Sequence, residues 1–457
     1  MAAFFRAMGP DKEQLTRKTA RERMNAKENG TAMRMDSHVS KEEMERQEDF
    51  AREVALWPNR PKSYYVVTYG CQMNAHDSEK IAGMLESMEM TLAPTREEAD
   101  FVIFNTCCVR ENAERRALGN VTWLKGLRRE RPNLLIAVCG CMIQQPGMAE
   151  KMLKQYPFID LAFGTSNLHR LPEMLMQLLR SGTRVVCVED RDVIAEGLPV
   201  HRLRKDAAYI TIMYGCNNFC SFCIVPYVRG RERSRGREDI LREAERLAAS
   251  GVQEIMLLGQ NVNSYGRGLP EPVTFAQLLK DLDAVGIPRI RFMTSHPKDL
   301  SDRLIQAFAE CEKLCNYIHL PVQSGSTSVL KRMNRKYSRQ QYIELVRKLR
   351  EAVPDIAIST DIIVGFPGET EEEFEDTLTL AKEIRYDSAF TFLYSIRKGT
   401  PAAEYDDQIP EMVKHERFNR LVDIMNSCSR EKNAAYVGRV EKVLIEGESK
   451  KGSGMLT

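Results

Sequence analysis

The sequence predicts an α/β protein: an N-terminal parallel α/β domain, a central partial (β/α)6 barrel, and the beginning of a small β domain. Three observations carry this expectation. From Ser63 onward, short β-rich runs alternate with helical ones, as in parallel sheets joined by crossover helices. A second alternating series, with six strands, starts at Tyr209. The chain has 457 residues, enough for several domains at roughly 100–200 residues each.

Residues 1–62 are dense in Lys, Arg, Glu, Asp and Met. They read as a charged, partly disordered extension, with one helix over Val39–Trp57 that Ser40 caps, Glu43 standing at capping-box spacing. Residues 63–189 form the first domain. Its strands are expected at Tyr64–Thr68, Phe101–Asn105, Leu134–Val138 and Arg184–Val188, and its helices at Ser78–Met90, Glu111–Arg129 and Ala149–Tyr156. Residues 190–205 lack a clear period, carry Gly197 and Pro199, and read as a linker.

The core spans 206–435. Strands are expected at Tyr209–Met213, Glu254–Leu258, Arg289–Met293, Tyr317–Leu320, Ala357–Val364 and Ala389–Tyr394. Helices are expected at Arg237–Ser250, Phe275–Val285, Leu300–Glu312, Ser338–Ala352 and Glu371–Ile384. Strand count alone leaves open whether the sheet closes, but this order puts functional residues at the C-terminal strand ends. The Gly-rich turn Gly365–Thr370 lacks the Gly-Lys-Ser/Thr ending of a phosphate loop and reads as a tight turn with Thr370 as N-cap. Residues 436–457 hold a β-like run, Val440–Glu446, and read as the truncated start of a further domain.

Composition narrows the function. The 66 basic and 64 acidic residues leave a net charge of +2, so nucleic-acid binding would have to use a local patch. No apolar run approaches the roughly 20 residues needed to span a bilayer, and the N-terminus has no secretory apolar core. Twelve cysteines in such a chain point to reduced thiols, metal ligation or catalysis in the cytoplasm rather than to a disulfide scaffold.

The strongest motif is Cys216-x3-Cys220-x2-Cys223, on a loop directly after a predicted strand. Three closely spaced thiolates suit an iron–sulfur cluster with one iron left open. A zinc site completed by a remote ligand is the alternative, but the paired C-x2-C spacing usual for zinc is absent. A second set, Cys71, Cys107, Cys108, Cys139 and Cys141, follows three predicted parallel strands, whose ends share one crevice in an open sheet. On placement alone these are either ligands or small buried hydrophobes. Cys311 and Cys315 read as a helix core face, and Cys187 and Cys428 as packing.

The C-x3-C-x2-C loop after the first strand of a (β/α)6 series resembles the radical S-adenosylmethionine superfamily. The segments Tyr69–Asn74, Cys107–Glu114, Cys139–Met142 and Thr294–Pro297 resemble the methylthiotransferases within it. The resemblance implies two 4Fe-4S clusters. One, on Cys216, Cys220 and Cys223, cleaves S-adenosylmethionine to a 5′-deoxyadenosyl radical. An auxiliary one, on Cys71, Cys107 and Cys141, presents sulfur that a further S-adenosylmethionine methylates. Cys108 and Cys139 are then bystanders or alternate ligands, with bystanders the reading preferred. The implied substrate is a prenylated adenosine beside the tRNA anticodon, with an electron-donor protein as partner and no membrane association. The nearest alternatives are sister enzymes acting on threonylcarbamoyl adenosine or on a ribosomal protein. A different class altogether is a non-catalytic zinc RNA-binding protein.

The S-adenosylmethionine pocket is expected across the strand ends, with candidates Gln260, Asn261, Ser295, Gln323 and Asp361. Arg335 is a candidate for the carboxylate, since guanidinium pairs bidentately. His296 and His319 are expected to be structural. Arg229, Arg231, Arg233 and Arg235, directly after the cysteine loop, read as phosphate contacts to tRNA or as internal ion pairs. The basic run Lys125–Arg131 reads as a solvated helix face. The tail resembles the start of the family's small RNA-binding β barrel (TRAM), which implies weaker tRNA binding for a chain that lacks the remainder.

Overall fold

A computed structural model describes residues 38–108, 111–189, 192–449 and 454–457. The disorder expected at the N-terminus falls mainly on residues 1–37, outside the described residues. The helix expected next is present as α1 (Lys41–Leu56), with Ser40 Oγ accepting from the Glu43 amide at 3.2 Å.

Six parallel strands build the first sheet: β1 (Ser63–Thr68), β2 (Thr91–Leu92), β3 (Phe101–Thr106), β4 (Leu135–Gly140), β5 (Leu161–Phe163) and β6 (Val185–Cys187), in the order β2-β1-β3-β4-β5-β6. Helices α2 (Gln72–Ser87), α3 (Glu111–Glu130), α4 (Met148–Gln155) and α5 (Leu171–Ser181) complete this layer. Period-two alternation along β3 sorts its buried side chains onto two faces. Phe101 and Ile103 pack with Ile81, Leu85 and Leu175 on one face, and Val102 and Phe104 with Val121 and Leu124 on the other. Each such full burial stabilises by roughly 1.5–3 kcal/mol.

Helix α1 belongs to this packing and not to a loose extension. Gln47 Nε2 donates to Glu173 Oε2 at 3.1 Å, and the Glu173 amide donates back to Gln47 Oε1 at 3.3 Å, tying α1 to α5. The segment expected as a linker is also pinned. His201 N donates to Glu79 O at 2.9 Å, and Ile194 is buried.

The core series comprises β7 (Ala207–Thr211), the short hairpin strands β8 (Met213–Tyr214) and β9 (Arg233–Ser234), β10 (Glu254–Leu258), β11 (Arg289–Phe292), β12 (Tyr317–His319), β13 (Ala357–Val364) and β14 (Ser388–Leu393). Parallel ladders join β7-β10-β11 and β12-β13-β14, and the two triplets meet at the bridge Ile290–Leu314. Among the described residues no ladder joins β7 to β14, so the barrel is open on that side. Ile255, Leu257, Ile290, Phe292, Ile358 and Ile362 face the surrounding helices in one core. The helices of this region are α6 (Val225–Val228), which packs on the first domain instead, and α7 (Arg237–Ala249), α8 (Phe275–Val285), α9 (Asp302–Glu310), α10 (Thr327–Arg332), α11 (Arg339–Ala352), α12 (Glu371–Ile384) and α13 (Glu411–Ala434), which surround this core. The intervening strand positions face the concave side. There Met73, from the start of α2, packs with Met256, Leu258, Tyr209 and Met293.

The β-like reading of Val440–Glu446 is corrected. That run forms no strand, and Val440 and Val443 are exposed. Alternating apolar residues need a partner strand and a face to cover; among the described residues this run's backbone pairing is confined to its last residue, Glu446, whose amide donates to Thr457 O at 2.6 Å.

Candidate active site

The three N-terminal sulfurs come from strand ends that are neighbours in the sheet. Cys71 follows β1 and occupies the N-cap of α2, Cys107 follows β3, and Cys141 follows β4. Asn74, one turn along α2, touches two of the sulfurs: its Oδ1 lies 4.0 Å from Cys71 Sγ and 3.7 Å from Cys141 Sγ. Cys107 reaches the same spot, since a Cβ on Gly70 would stand 2.9 Å from its sulfur; Gly70, at φ +114°, is required by both backbone and space. A hydrogen bond from Cys108 and the Arg229 guanidinium hold the Cys141 thiol at about 6, against its burial.

Cys139 lies inside β4 and faces the opposite core, among Ile81 and Phe163, where burial pushes its thiol well up. Cys108 is also buried, but on the Cys141 side, in contact with it.

The second trio sits on the loop after β8. Gly215, at φ +72°, admits the Arg231 carbonyl at a distance that any Cβ would forbid. The loop is held from below. Ser221 N donates to Met333 O at 3.0 Å, Ser221 Oγ to Arg332 O at 2.9 Å, and Asn334 Nδ2 to Phe219 O at 2.8 Å. Phe219 takes a left-handed φ of 45° between the first two cysteines. Burial raises Cys216 to about 11 and Cys223 to about 12, so these sulfurs need a bound metal to become thiolates near neutral pH.

The segment that follows the second trio packs against the first trio's domain. Ile224, next to Cys223, and Val228 pack in the same apolar cluster as Cys108 and Cys141.

At the ends of β10 and β11, Gln260 Oε1, Asn261 Oδ1, Asn263 Oδ1 and Ser295 Oγ are buried without a hydrogen-bond partner. Orphaned buried acceptors carry a desolvation cost unless a ligand meets them. Asn261 is oriented by its Nδ2, which donates to Asp299 Oδ2 at 2.7 Å. Asp361 faces His319 Nε2 at 3.5 Å, and Gln323 is held at φ 70° by backbone bonds to Asp361 and Ile363. Three thiols on one loop beside a strand-end ring of unsatisfied polar atoms fit an iron–sulfur cluster with a small polar ligand.

Several expectations are corrected by burial. Arg335 is committed to internal acceptors: Cys220 Sγ at 3.3 Å, Tyr337 Oη at 3.0 Å and Pro321 O at 3.1 Å. It supports the cysteine loop instead of presenting a free fork to a carboxylate. Of the four arginines read as RNA contacts, Arg235 is buried between Glu196 and Glu243. Arg233 binds Asp192 and the carbonyls of Arg229 and Arg231. Arg229 is buried against Cys141, Asn74 and Asp77. Arg231 stacks at 4.6 Å over Phe219 and, among the described residues, makes no side-chain ion pair. On the helix run, Arg128 and Arg131 pair with Asp160 and Asp100. His296 caps the turn after β11 by accepting from Lys298 N at 3.3 Å, and burial holds it neutral.

Sequence reasoning missed Asn74, Asp77 and Asn263. The available signal for the first two was their spacing of three and six residues from Cys71 on one helix. Among the described residues no helix is long and apolar enough to cross a membrane.

Residues 210–381 match the Radical SAM superfamily, and residues 63–164 match the Uncharacterized protein family UPF0004. The chain is 57% identical over 395 residues to a tRNA-2-methylthio-N(6)-dimethylallyladenosine synthase of Clostridium botulinum strain Langeland, covering 86% of this chain and 88% of that one. It is 56% identical over 401 residues to the synthase of Clostridium tetani strain Massachusetts, covering 87% and 88%. In fold it is similar to the radical S-adenosylmethionine methyltransferase TsrM from Kitasatospora setae, with a TM-score of 0.56 at 15% identity and 75% of each chain covered. It is also similar to the cobalamin-dependent radical enzyme OxsB, with a TM-score of 0.51 at 14% identity over 80% of this chain and 56% of that one. With both domain matches falling on the two cysteine-bearing units, the chain belongs to the tRNA-2-methylthio-N(6)-dimethylallyladenosine synthase family of radical S-adenosylmethionine methylthiotransferases.

Proposed function

We propose that this chain converts N(6)-dimethylallyl adenosine beside the tRNA anticodon to its 2-methylthio derivative. Cys216, Cys220 and Cys223 hold one 4Fe-4S cluster, and Cys71, Cys107 and Cys141 hold a second, auxiliary one. The single observation that carries this reading is the seating of the segment after the second trio against the first trio's domain, with Ile224 and Cys141 in one apolar cluster. When bound, the clusters and S-adenosylmethionine supply a carbon radical, which removes a non-acidic aromatic hydrogen as no acid or base can, and a transferable methylthio group.

The chain's own residues bind, orient and exclude water. Gln260, Asn261 and Ser295 offer unsatisfied polar atoms to S-adenosylmethionine, with Gln323 and Asp361 completing the ring of strand ends. Arg335 fixes the Cys220 sulfur. The open side of the barrel admits the nucleobase. Phe390 on β14, 50% exposed and in register with Asp361, offers a stacking face there. Met73, Met256 and Met293 provide an adaptable apolar wall for the prenyl group. An electron-donor protein supplies the reducing equivalents, and the tRNA substrate sets the work in the cytoplasm.

The test is anaerobic reconstitution followed by nucleoside analysis of prenylated and threonylcarbamoylated tRNA. About eight iron per chain and thiolation of the prenylated substrate alone are expected. Turnover only on the threonylcarbamoylated tRNA would overturn the substrate assignment, and zinc without iron would overturn the enzyme reading.

A further inference from the structure

Arg229 crosses from the core to the N-terminal domain. It follows α6, five residues beyond Ile224, yet its Nε lies 3.1 Å from Cys141 Sγ. Its Nη2 donates to Asn74 Oδ1 at 2.8 Å and pairs with Asp77 Oδ2 at 2.7 Å. The side chains of Arg229 and Asp77 are 6% and 9% exposed. Burying a guanidinium carries a large desolvation cost unless it is paired and hydrogen-bonded. Here one carboxylate, one amide oxygen and one thiol sulfur share it. The sulfur is the informative partner. Asn74 Oδ1 stands within 4.0 Å of both Cys71 and Cys141. Once those thiols lose their protons to become ligands, the amide oxygen faces two anionic sulfurs and keeps Arg229 as its donor.

We propose that Arg229 is a positioning residue that sets the reduction potential of the auxiliary cluster and fixes the cluster against the core, with Asp77 attenuating the cation. The inference rests on the reading of Cys71, Cys107 and Cys141 as ligands. The physical basis is general: a cationic donor to a ligand sulfur stabilises the reduced, more negative cluster and raises its potential, and outer hydrogen-bond partners tune a metal centre. Asp77 takes part of that positive charge away.

The test is an EPR-monitored potentiometric titration of the reconstituted full chain. S-adenosylmethionine is added to displace the signal of the other cluster. Arg229→Gln is expected to lower the auxiliary midpoint, so that at the wild-type midpoint the oxidised-to-reduced ratio rises about tenfold, which is about 59 mV for one electron. Arg229→Lys, which keeps the charge but loses the fork, falls between. Asp77→Asn shifts the midpoint the other way. Unchanged midpoints in Arg229→Gln and Asp77→Asn with full iron content overturn the proposal. If Arg229→Gln loses the auxiliary iron, Asp77→Asn decides: an upward shift supports the assignment and no shift overturns it. Loss of the cluster in both variants overturns it in favour of a purely structural ion pair. Failure of the underlying reading looks different: wild-type protein then holds only about four iron per chain, or Cys141→Ala keeps both signals.

Discussion

Arg335 Nη1 lies 3.3 Å from Cys220 Sγ, and the same guanidinium spans to Tyr337 Oη and Pro321 O. The cysteine loop is therefore braced by a cation from the connection after β12 and not by its own backbone alone. Arg335→Lys keeps one charge but loses the fork that reaches three acceptors. The variant is expected to lose about 1–3 kcal/mol of stability and at least tenfold in S-adenosylmethionine cleavage. Chemical denaturation and 5′-deoxyadenosine quantification check it, and wild-type cleavage in a destabilised Arg335→Lys would refute the bracing role.

The two trios are expected to be separable by mutation. Cys216→Ala is expected to abolish S-adenosylmethionine cleavage. Cys71→Ala should retain cleavage, lose thiolation and drop iron from about eight to about four per chain. Iron analysis beside 5′-deoxyadenosine and 2-methylthio product assays reads all three outcomes. A Cys71→Ala protein that still thiolates would remove the N-terminal domain from the chemistry.

Gly70 gives a steric route to the same site without replacing a cysteine. Its φ is +114°, and an alanine methyl there would stand 2.6 Å from Cys107 Cβ, so Gly70→Ala must displace Cys107 or the turn. The expected cost is about 1–3 kcal/mol, with auxiliary iron lost and the other cluster kept. Wild-type iron content in Gly70→Ala would show that Cys107 is not needed where it stands.

Much of this architecture was legible in the sequence. The strands Glu254–Leu258 and Ala357–Val364 and the helices Phe275–Val285 and Glu371–Ile384 run as the periodicity indicates, because apolar runs there end at clear turn and cap residues; Thr370 is indeed an N-cap in a capping box. What the periodicity hid was burial of charge. Helix α13 hides its first inward positions, Lys414 and Arg417, behind contacts to Tyr394 O and Glu369, so hydropathy shows no stripe. Helix α2 begins at Gln72, six residues earlier than expected, because Asn74, His76, Asp77, Glu79 and Lys80 are all buried against the core. That turn is also the one that carries Asn74 and Asp77 to the sulfurs. The proposed cysteine trios rest on spacing and resemblance, and the structure adds that Asn74 Oδ1 lies within 4.0 Å of the Cys71 and Cys141 sulfurs. Which of four similar arginines meets a sulfur depends on tertiary burial, and local sequence does not encode it.

Cys139 and Cys108 are expected to behave differently although each is a sequence neighbour of a proposed ligand, Cys141 or Cys107. Cys139 faces the α2 side of the sheet, so Cys139→Ala should keep full iron and activity at a cost of about 1 kcal/mol for the lost sulfur volume. Cys108 bonds to Cys141. Cys108→Ala should leave S-adenosylmethionine cleavage intact and slow thiolation roughly fivefold, as loss of about 1 kcal/mol of hydrogen bonding implies. Equal effects of the two variants on thiolation would contradict this division.

Glu369 supplies a pH dependence remote from both trios. It is 3% exposed, and burial raises its carboxyl from the ordinary 4.5 to about 7, although Gly365 N donates to it at 2.8 Å and Arg417 lies at 3.2 Å. Between pH 4.5 and about 7 the folded state therefore holds a proton that the unfolded chain has released. Stability must fall as pH rises through that window, by about 3 kcal/mol in total. Glu369→Gln keeps an acceptor for Gly365 and cannot ionise, and Arg417 retains Glu371 at 3.1 Å. Urea denaturation from pH 5 to pH 8 should show the wild type losing ground to Glu369→Gln across the window and running parallel above it. Parallel curves throughout would mean that the Arg417 pair keeps Glu369 ionised in the folded protein at all these pH values.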